Sequence, residues 1–133
     1  MVKLKNPTDA SVAIKGKLRV LVVEDHAPTR LAMTRLIRNA GADVVSARDG
    51  EEALGYVLTQ WFDVMLTDLR MPGMDGFELV QHCLRLPDTQ RPGRIIAISG
   101  EYEAGVLHDQ PVAFLSKPFE LHALLEMIGG KLN

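Results

Sequence analysis

The sequence predicts an α/β fold: a five-stranded parallel sheet in the order 2-1-3-4-5, with helices on both faces. Three observations predict it. Short apolar, β-branched runs alternate with segments of helical periodicity, which is how a parallel sheet covered by helices reads. The connections between them are short. Five such runs fall within a chain of 133 residues, the size of one domain, and with 47 % apolar residues the chain can fill a single buried core.

Residues 1–17 are polar, carry four lysines and read as a flexible extension or linker; the folded domain is expected over 18–133. Leu18 to Val23 is a strand buried on both faces. Glu24, Asp25 and His26 end it, and Pro28 suits the first turn of a helix. That helix places Met33, Leu36, Ile37 and Ala40 on one face, and Gly41 closes it. Asp43 to Ala47 is the second strand, and Gly50 to Gln60 a helix with Ala53, Leu54, Val57 and Leu58 on its inner side. Asp63 to Thr67 is the third strand, ending at Asp68. The Pro/Gly loop Met71 to Gly76 leads to a helix with Phe77, Val80 and Leu84 facing inward. Arg94 to Ser99 and Val112 to Leu115 are the fourth and fifth strands. The last helix carries Leu121, Leu124, Leu125 and Ile128, and Gly129-Gly130 ends it. Cys83 reads as a small core residue and Trp61 as a cover for the end of the second helix.

A sheet of this flavodoxin-like order places function at the carboxyl ends of its strands, at the topological switch point. Those ends carry Glu24-Asp25, Asp68, Ser99 and, after the fifth strand, Lys117-Pro118. Three carboxylates in one place need counter-charge, which a hard cation such as Mg²⁺ supplies through a few carboxylate oxygens and waters. Lys117 adds a further positive charge. A carboxylate held in this way can attack phosphorus to give an acyl phosphate, with the cation and the ammonium stabilising the transferring oxygens. Each position alone has an ordinary reading: helix-start acids, a turn former, a helix cap, a surface lysine. Those readings would have to hold at all five positions together, each at a strand end.

The stretches LRVLVVED (Leu18 to Asp25), TDLRMPGMDG (Thr67 to Gly76), Ile98-Ser99-Gly100 and Ser116-Lys117-Pro118-Phe119 resemble the response-regulator receiver domains of bacterial two-component systems, CheY-like proteins. The resemblance spans about Leu18 to Ile128. It implies that Asp68 is the phosphoacceptor and that Glu24 and Asp25 organise Mg²⁺ (with Mn²⁺ as a substitute), joined by the backbone carbonyl of Arg70. It implies that Ser99 is the switch hydroxyl, that Lys117 contacts the phosphoryl group, and that the Lys117–Pro118 bond is cis. The implied function is a phosphoacceptor switch, not an enzyme in the ordinary sense. It would be cytoplasmic and served by a histidine kinase or histidine phosphotransfer protein, and would act on a downstream protein target. A homodimer through the face of the fourth helix, fifth strand and fifth helix is one further partner. No direct nucleic-acid partner or membrane insertion is expected: the net charge is −2, no basic stripe is present, and no apolar run has 18 residues.

The chain also departs from the family. Ser99 and Lys117 are 18 positions apart, a few fewer than usual. Residues 100–111 therefore predict a short or irregular fourth helix, on the family's usual output face. The aromatic switch position is Phe114, which has no hydroxyl; it either rotates inward or is a static core residue. Arg70 and Glu101 occupy positions that in the family flank the path of the attacking water. If they pair across the pocket, Arg70→Ala or Glu101→Ala changes the autodephosphorylation rate. His26, His82, His108 and His122 show no metal-ligand spacing; His26, beside the acidic pair, is read as tuning the pocket.

Two alternatives come from other classes. A Mg²⁺-dependent phosphohydrolase with an aspartyl nucleophile would need a second aspartate two residues after the first-strand nucleophile, and Asp25 is followed by His26-Ala27. A flavodoxin-like cofactor binder would need a Ser/Thr/Gly-rich phosphate loop, where Glu24-Asp25 would repel phosphate. The chain reads as a stand-alone receiver or as one from a hybrid sensor kinase; the lysine-bearing extension favours the second.

Overall fold

A computed structural model describes residues 17–100 and 110–129. The strands are β1 (Arg19–Val23), β2 (Asp43–Ala47), β3 (Val64–Asp68), β4 (Arg94–Ser99) and β5 (Ala113–Ser116). Among the described residues the helices are α1 (Ala27–Asn39), α2 (Gly50–Thr59), α3 (Gly76–Leu84) and α4 (Leu121–Ile128). The last of these is the fifth helix of the sequence reading; the expected fourth helix falls largely outside the described residues. All strand pairs are parallel, in the order β2-β1-β3-β4-β5. The predicted order holds, and each strand boundary lies within a residue of expectation.

Side chains alternate along each strand and so divide the interior into two cores. Val20 and Val22, Val64 and Leu66, Ile96 and Ile98 pack with Met33 and Ile37 of α1 and Leu124, Leu125 and Ile128 of α4. Leu21 and Val23, Met65, Ile95 and Ala97 pack on the other face with Ala53 and Val57 of α2 and Leu79, Val80 and Cys83 of α3. Both faces are apolar, which is why these strands read as continuous hydrophobic runs.

Two helix starts, those of α2 and α3, are specified by carboxylates. Asp49 accepts from the Glu52 N–H at 2.8 Å, while the Glu52 side chain accepts from the Arg48 N–H. Asp75 and Glu78 form a reciprocal capping box at α3. Pro28 lies in the first turn of α1, and Gly41 has the positive φ that closing this helix required.

Three helical faces differ from expectation. In α3 the buried residues are Gly76, Leu79, Val80 and Cys83; Phe77 and Leu84 are only partly buried. Leu58 of α2 is 48 % exposed and Leu121 of α4 is 56 % exposed. Leu121 instead lines, with Pro28, Met33 and Phe119, a groove of about 420 Å³ between α1 and α4. Trp61 is also exposed; it lies against Gly93, before β4, and donates to Asp63.

Gly76 explains how α3 is seated. A Cβ there would collide with the backbone oxygen of Asp68 and stand 2.6 Å from Leu69 Cα, and the Gly76 N–H donates to the Leu69 carbonyl. The helix start is thus held directly against the end of β3. Gly76→Ala is expected to destabilise the fold by about 1–3 kcal/mol, the usual scale of overpacking. Urea unfolding followed by circular dichroism measures this, and an unchanged midpoint would contradict the close approach.

Candidate functional site

The parallel sheet brings the five predicted positions to one edge. Glu24 and Asp25 follow β1, Asp68 ends β3, Ser99 ends β4, and Lys117 follows β5. Register explains the convergence: Asp68 is opposite Ile98, one residue short of Ser99, and Ser99 is opposite Ser116, one residue short of Lys117.

The carboxylates of Glu24, Asp25 and Asp68 each present an oxygen within 4.8 Å of the others. Glu24 and Asp68 are each 5 % exposed, while Asp25 is exposed. Lys117 Nζ donates to Asp68 Oδ2 at 2.8 Å, and the Arg70 N–H donates to Oδ1 at 3.0 Å. The Lys117–Pro118 bond is cis, and the Lys117 N–H donates to the Ser99 carbonyl at 2.8 Å. Ser99 Oγ is buried and has no hydrogen-bond partner. A buried hydroxyl in that condition costs free energy unless something supplies a partner. Hard oxygen donors gathered around one point, with a single nearby ammonium, suit a hard cation bound through oxygens.

Burial pushes the Glu24 carboxyl above its ordinary value of 4.5; the negative charges of Asp68 and Asp25 add to the rise, while the His26 N–H and Lys117 oppose it. Burial also pulls on Lys117, but downward. The hydrogen bond to Asp68 and the charges of Asp68, Glu24 and Asp25 more than offset it, so the net shift is upward from 10.5.

The Glu24 shift has a stability consequence. A raised folded-state value means that ionised Glu24 opposes folding; the penalty is fully present above the folded value and vanishes as the pH falls to 4.5. Glu24→Gln keeps an acceptor for the His26 N–H, which now donates to Glu24 Oε2 at 3.0 Å. The variant is expected to raise metal-free stability at neutral pH by up to about 1 kcal/mol, the scale of relieving one unfavourable charge. It should weaken divalent-ion binding at the same time. Thermal melts with and without Mg²⁺ read both effects.

Other expected positions are placed less centrally. Phe114 is partly buried on β5, opposite Ala97, and packs against the α2/α3-side core. Arg70 is exposed. Glu101 and His108 lie outside the described residues, as do most of residues 100–111. His26 Nδ1 is 2.7 Å from Thr29 Oγ1, and its contact with the pocket is through its backbone N–H. Sequence reading did not single out Arg30, whose Nη1 donates to the Glu24 carbonyl at 2.9 Å. The sequence shows only a cation in the first turn of a helix, where it opposes the macrodipole, and not its carbonyl partners.

Comparison with known proteins points the same way. The family model described as "Response regulator receiver domain" matches residues 20–129. The sensor protein EvgS of Escherichia coli (strain K12) is 41 % identical over 70 residues, covering 53 % of this chain and 6 % of that protein. The chain therefore corresponds to a small part of this curated relative. A response regulator receiver protein from Pseudomonas putida has TM-score 0.74 and 33 % identity, covering 86 % of this chain and 98 % of that one. A CheY-like receiver domain protein from Methanospirillum hungatei has TM-score 0.76 and 27 % identity, covering 88 % and 94 %. Among the described residues no helix is long and apolar enough to cross a membrane.

Proposed function

The chain belongs to the response regulator receiver domain family of two-component signalling, and on that premise we propose that it is a switch that accepts a phosphoryl group on Asp68. The observation that carries this reading is the nearly buried Asp68 carboxylate, bonded to Lys117 at 2.8 Å and within 4.8 Å of two further acids.

A divalent cation, Mg²⁺ or in its place Mn²⁺, held by Glu24, Asp25, Asp68 and the Arg70 carbonyl, would neutralise charge on the acids and on the incoming phosphoryl oxygens. The chain's own residues do the rest. One Asp68 oxygen attacks phosphorus, and the bond from phosphorus to the donor's leaving group breaks, with the electron pair departing on the donor. With a phosphohistidine donor the leaving imidazole takes up a proton as needed. Either attacking oxygen gives up a hydrogen bond, Oδ2 that from Lys117 or Oδ1 that from the Arg70 N–H. Both donors can then turn to phosphoryl oxygens. Ser99 Oγ, buried and without a partner, becomes a donor to the arriving group. The group brings roughly −1.5 to −2 charges. Ser99 follows it, and a conformer with altered partner binding gains population. Arg70 and Glu101 would set how readily water reaches the acyl phosphate.

The phosphodonor is proposed to be a histidine kinase or histidine phosphotransfer protein, and the output a downstream protein, in the cytoplasm. The test is intact-mass spectrometry after incubation with acetyl phosphate and Mg²⁺. One phosphoryl group should be gained, and chelation of the metal should prevent it. No gain in the presence of Mg²⁺ would reject the reading. Sustained turnover of phosphomonoesters would favour the phosphohydrolase instead.

A further inference from the structure

We propose that Arg30 is a positioning residue for the acidic pair, holding the Glu24–Asp25 backbone in the shape that gathers a divalent cation. The inference rests on the phosphoacceptor reading of the same pocket. Arg30 Nη1 donates to the Glu24 carbonyl at 2.9 Å and stands 3.5 Å from that of Asp25. Its own N–H donates to the His26 carbonyl, so its stem belongs to the first turn of α1 while its head reaches back over the β1–α1 turn. The same turn is held twice more, by the Glu24 N–H on the Ala47 carbonyl at 3.0 Å and by the His26 N–H on Glu24 Oε2 at 3.0 Å. The first of these fixes where β1 ends and the second fixes the Glu24 carboxylate. Among the described residues, only the arginine head bonds the carbonyl that leads on to Asp25.

The first turn of α1 contains no acid, and His26 provides no side-chain cap. The negative charge that balances Arg30 at this helix start is that of Glu24 and Asp25, just before it. A side chain that reaches the backbone of both of these candidate ligands has its role in that turn.

Two physical effects predict opposite results for its removal. As a charge, Arg30 repels a divalent cation, so Arg30→Ala should tighten binding. As a support, it pre-shapes the ligands, so Arg30→Ala should loosen binding, and loss of such outer-shell support typically lowers metal affinity by about tenfold or more. The proposal is that the second wins. Mn²⁺ binding to the whole chain, followed by electron paramagnetic resonance, reads the affinity, and hydrogen exchange at the Asp25 and His26 amides reads the turn without metal. Arg30→Ala should weaken Mn²⁺ about tenfold and speed exchange at those amides. Arg30→Lys, which keeps one donor and the charge, should recover most of both. If Arg30→Ala does not fold by circular dichroism, Arg30→Gln carries the same expectation. Unchanged or tighter Mn²⁺ binding in the neutral variant overturns the positioning role alone, provided that wild type binds and Asp25→Asn does not. A wild-type chain that fails to bind Mn²⁺ overturns the pocket reading and this inference with it.

Discussion

Asp68→Asn is expected to abolish phosphoryl uptake from acetyl phosphate while leaving the fold intact. The substitution replaces one carboxylate oxygen by an amide nitrogen, which is a poor nucleophile toward phosphorus at neutral pH. It keeps the shape of the side chain and an oxygen able to accept from the Arg70 N–H, now 3.0 Å from Oδ1. It removes one of three crowded negative charges, which relieves repulsion from Glu24 and Asp25 and offsets the loss of the Lys117 ion pair. The ion pair it breaks has a half-exposed lysine, whose contribution to stability is about 1 kcal/mol or less. Parallel mass spectra and thermal melts of the two proteins decide the matter. A variant that still gains the phosphoryl group would place the nucleophile elsewhere.

Lys117→Ala is expected to slow phosphoryl uptake by about 10²–10³, the range seen when one donor to a developing oxyanion is removed. The reason is again local. Nζ stands 2.8 Å from Asp68 Oδ2, beside the carboxylates of Glu24 and Asp25. Its upward shift keeps it charged throughout the neutral range. The stability it contributes is fully present below 10.5 and is lost as the pH rises through the higher folded-state value. Stopped uptake at saturating Mg²⁺ measures the rate; a rate within a few fold of wild type would mean that the ammonium is only a structural partner of Asp68.

Much of this was legible in the sequence because a parallel sheet has few ways to be built. Five apolar runs separated by helical segments gave the strand order, and the rule that function gathers at strand carboxyl ends picked out Glu24, Asp25, Asp68, Ser99 and Lys117. The inward face of α3 was not legible. Its apolar residues (Phe77, Leu79, Val80, Cys83 and Leu84) fit two overlapping helical stripes. What selects between them is Gly76, pressed against the Asp68–Leu69 backbone, which sets the rotation of the helix. Leu121 was read as core because it shares a helical face with Leu124, Leu125 and Ile128, but it belongs to the first turn of α4 and lines the groove beside α1 instead. Arg30 escaped notice for a different reason: its partners are backbone carbonyls, which no residue pattern displays.

Cys83 is fully buried against Met65, and burial pushes its thiol up to about 12. Thiolate is the reactive form, so alkylating reagents should reach this sulfur only when α3 parts from the sheet. Its labelling rate then serves as a clock for the opening of that one layer. An exposed cysteine introduced elsewhere, for instance by Ser116→Cys, should accept a dye selectively while the native thiol stays silent.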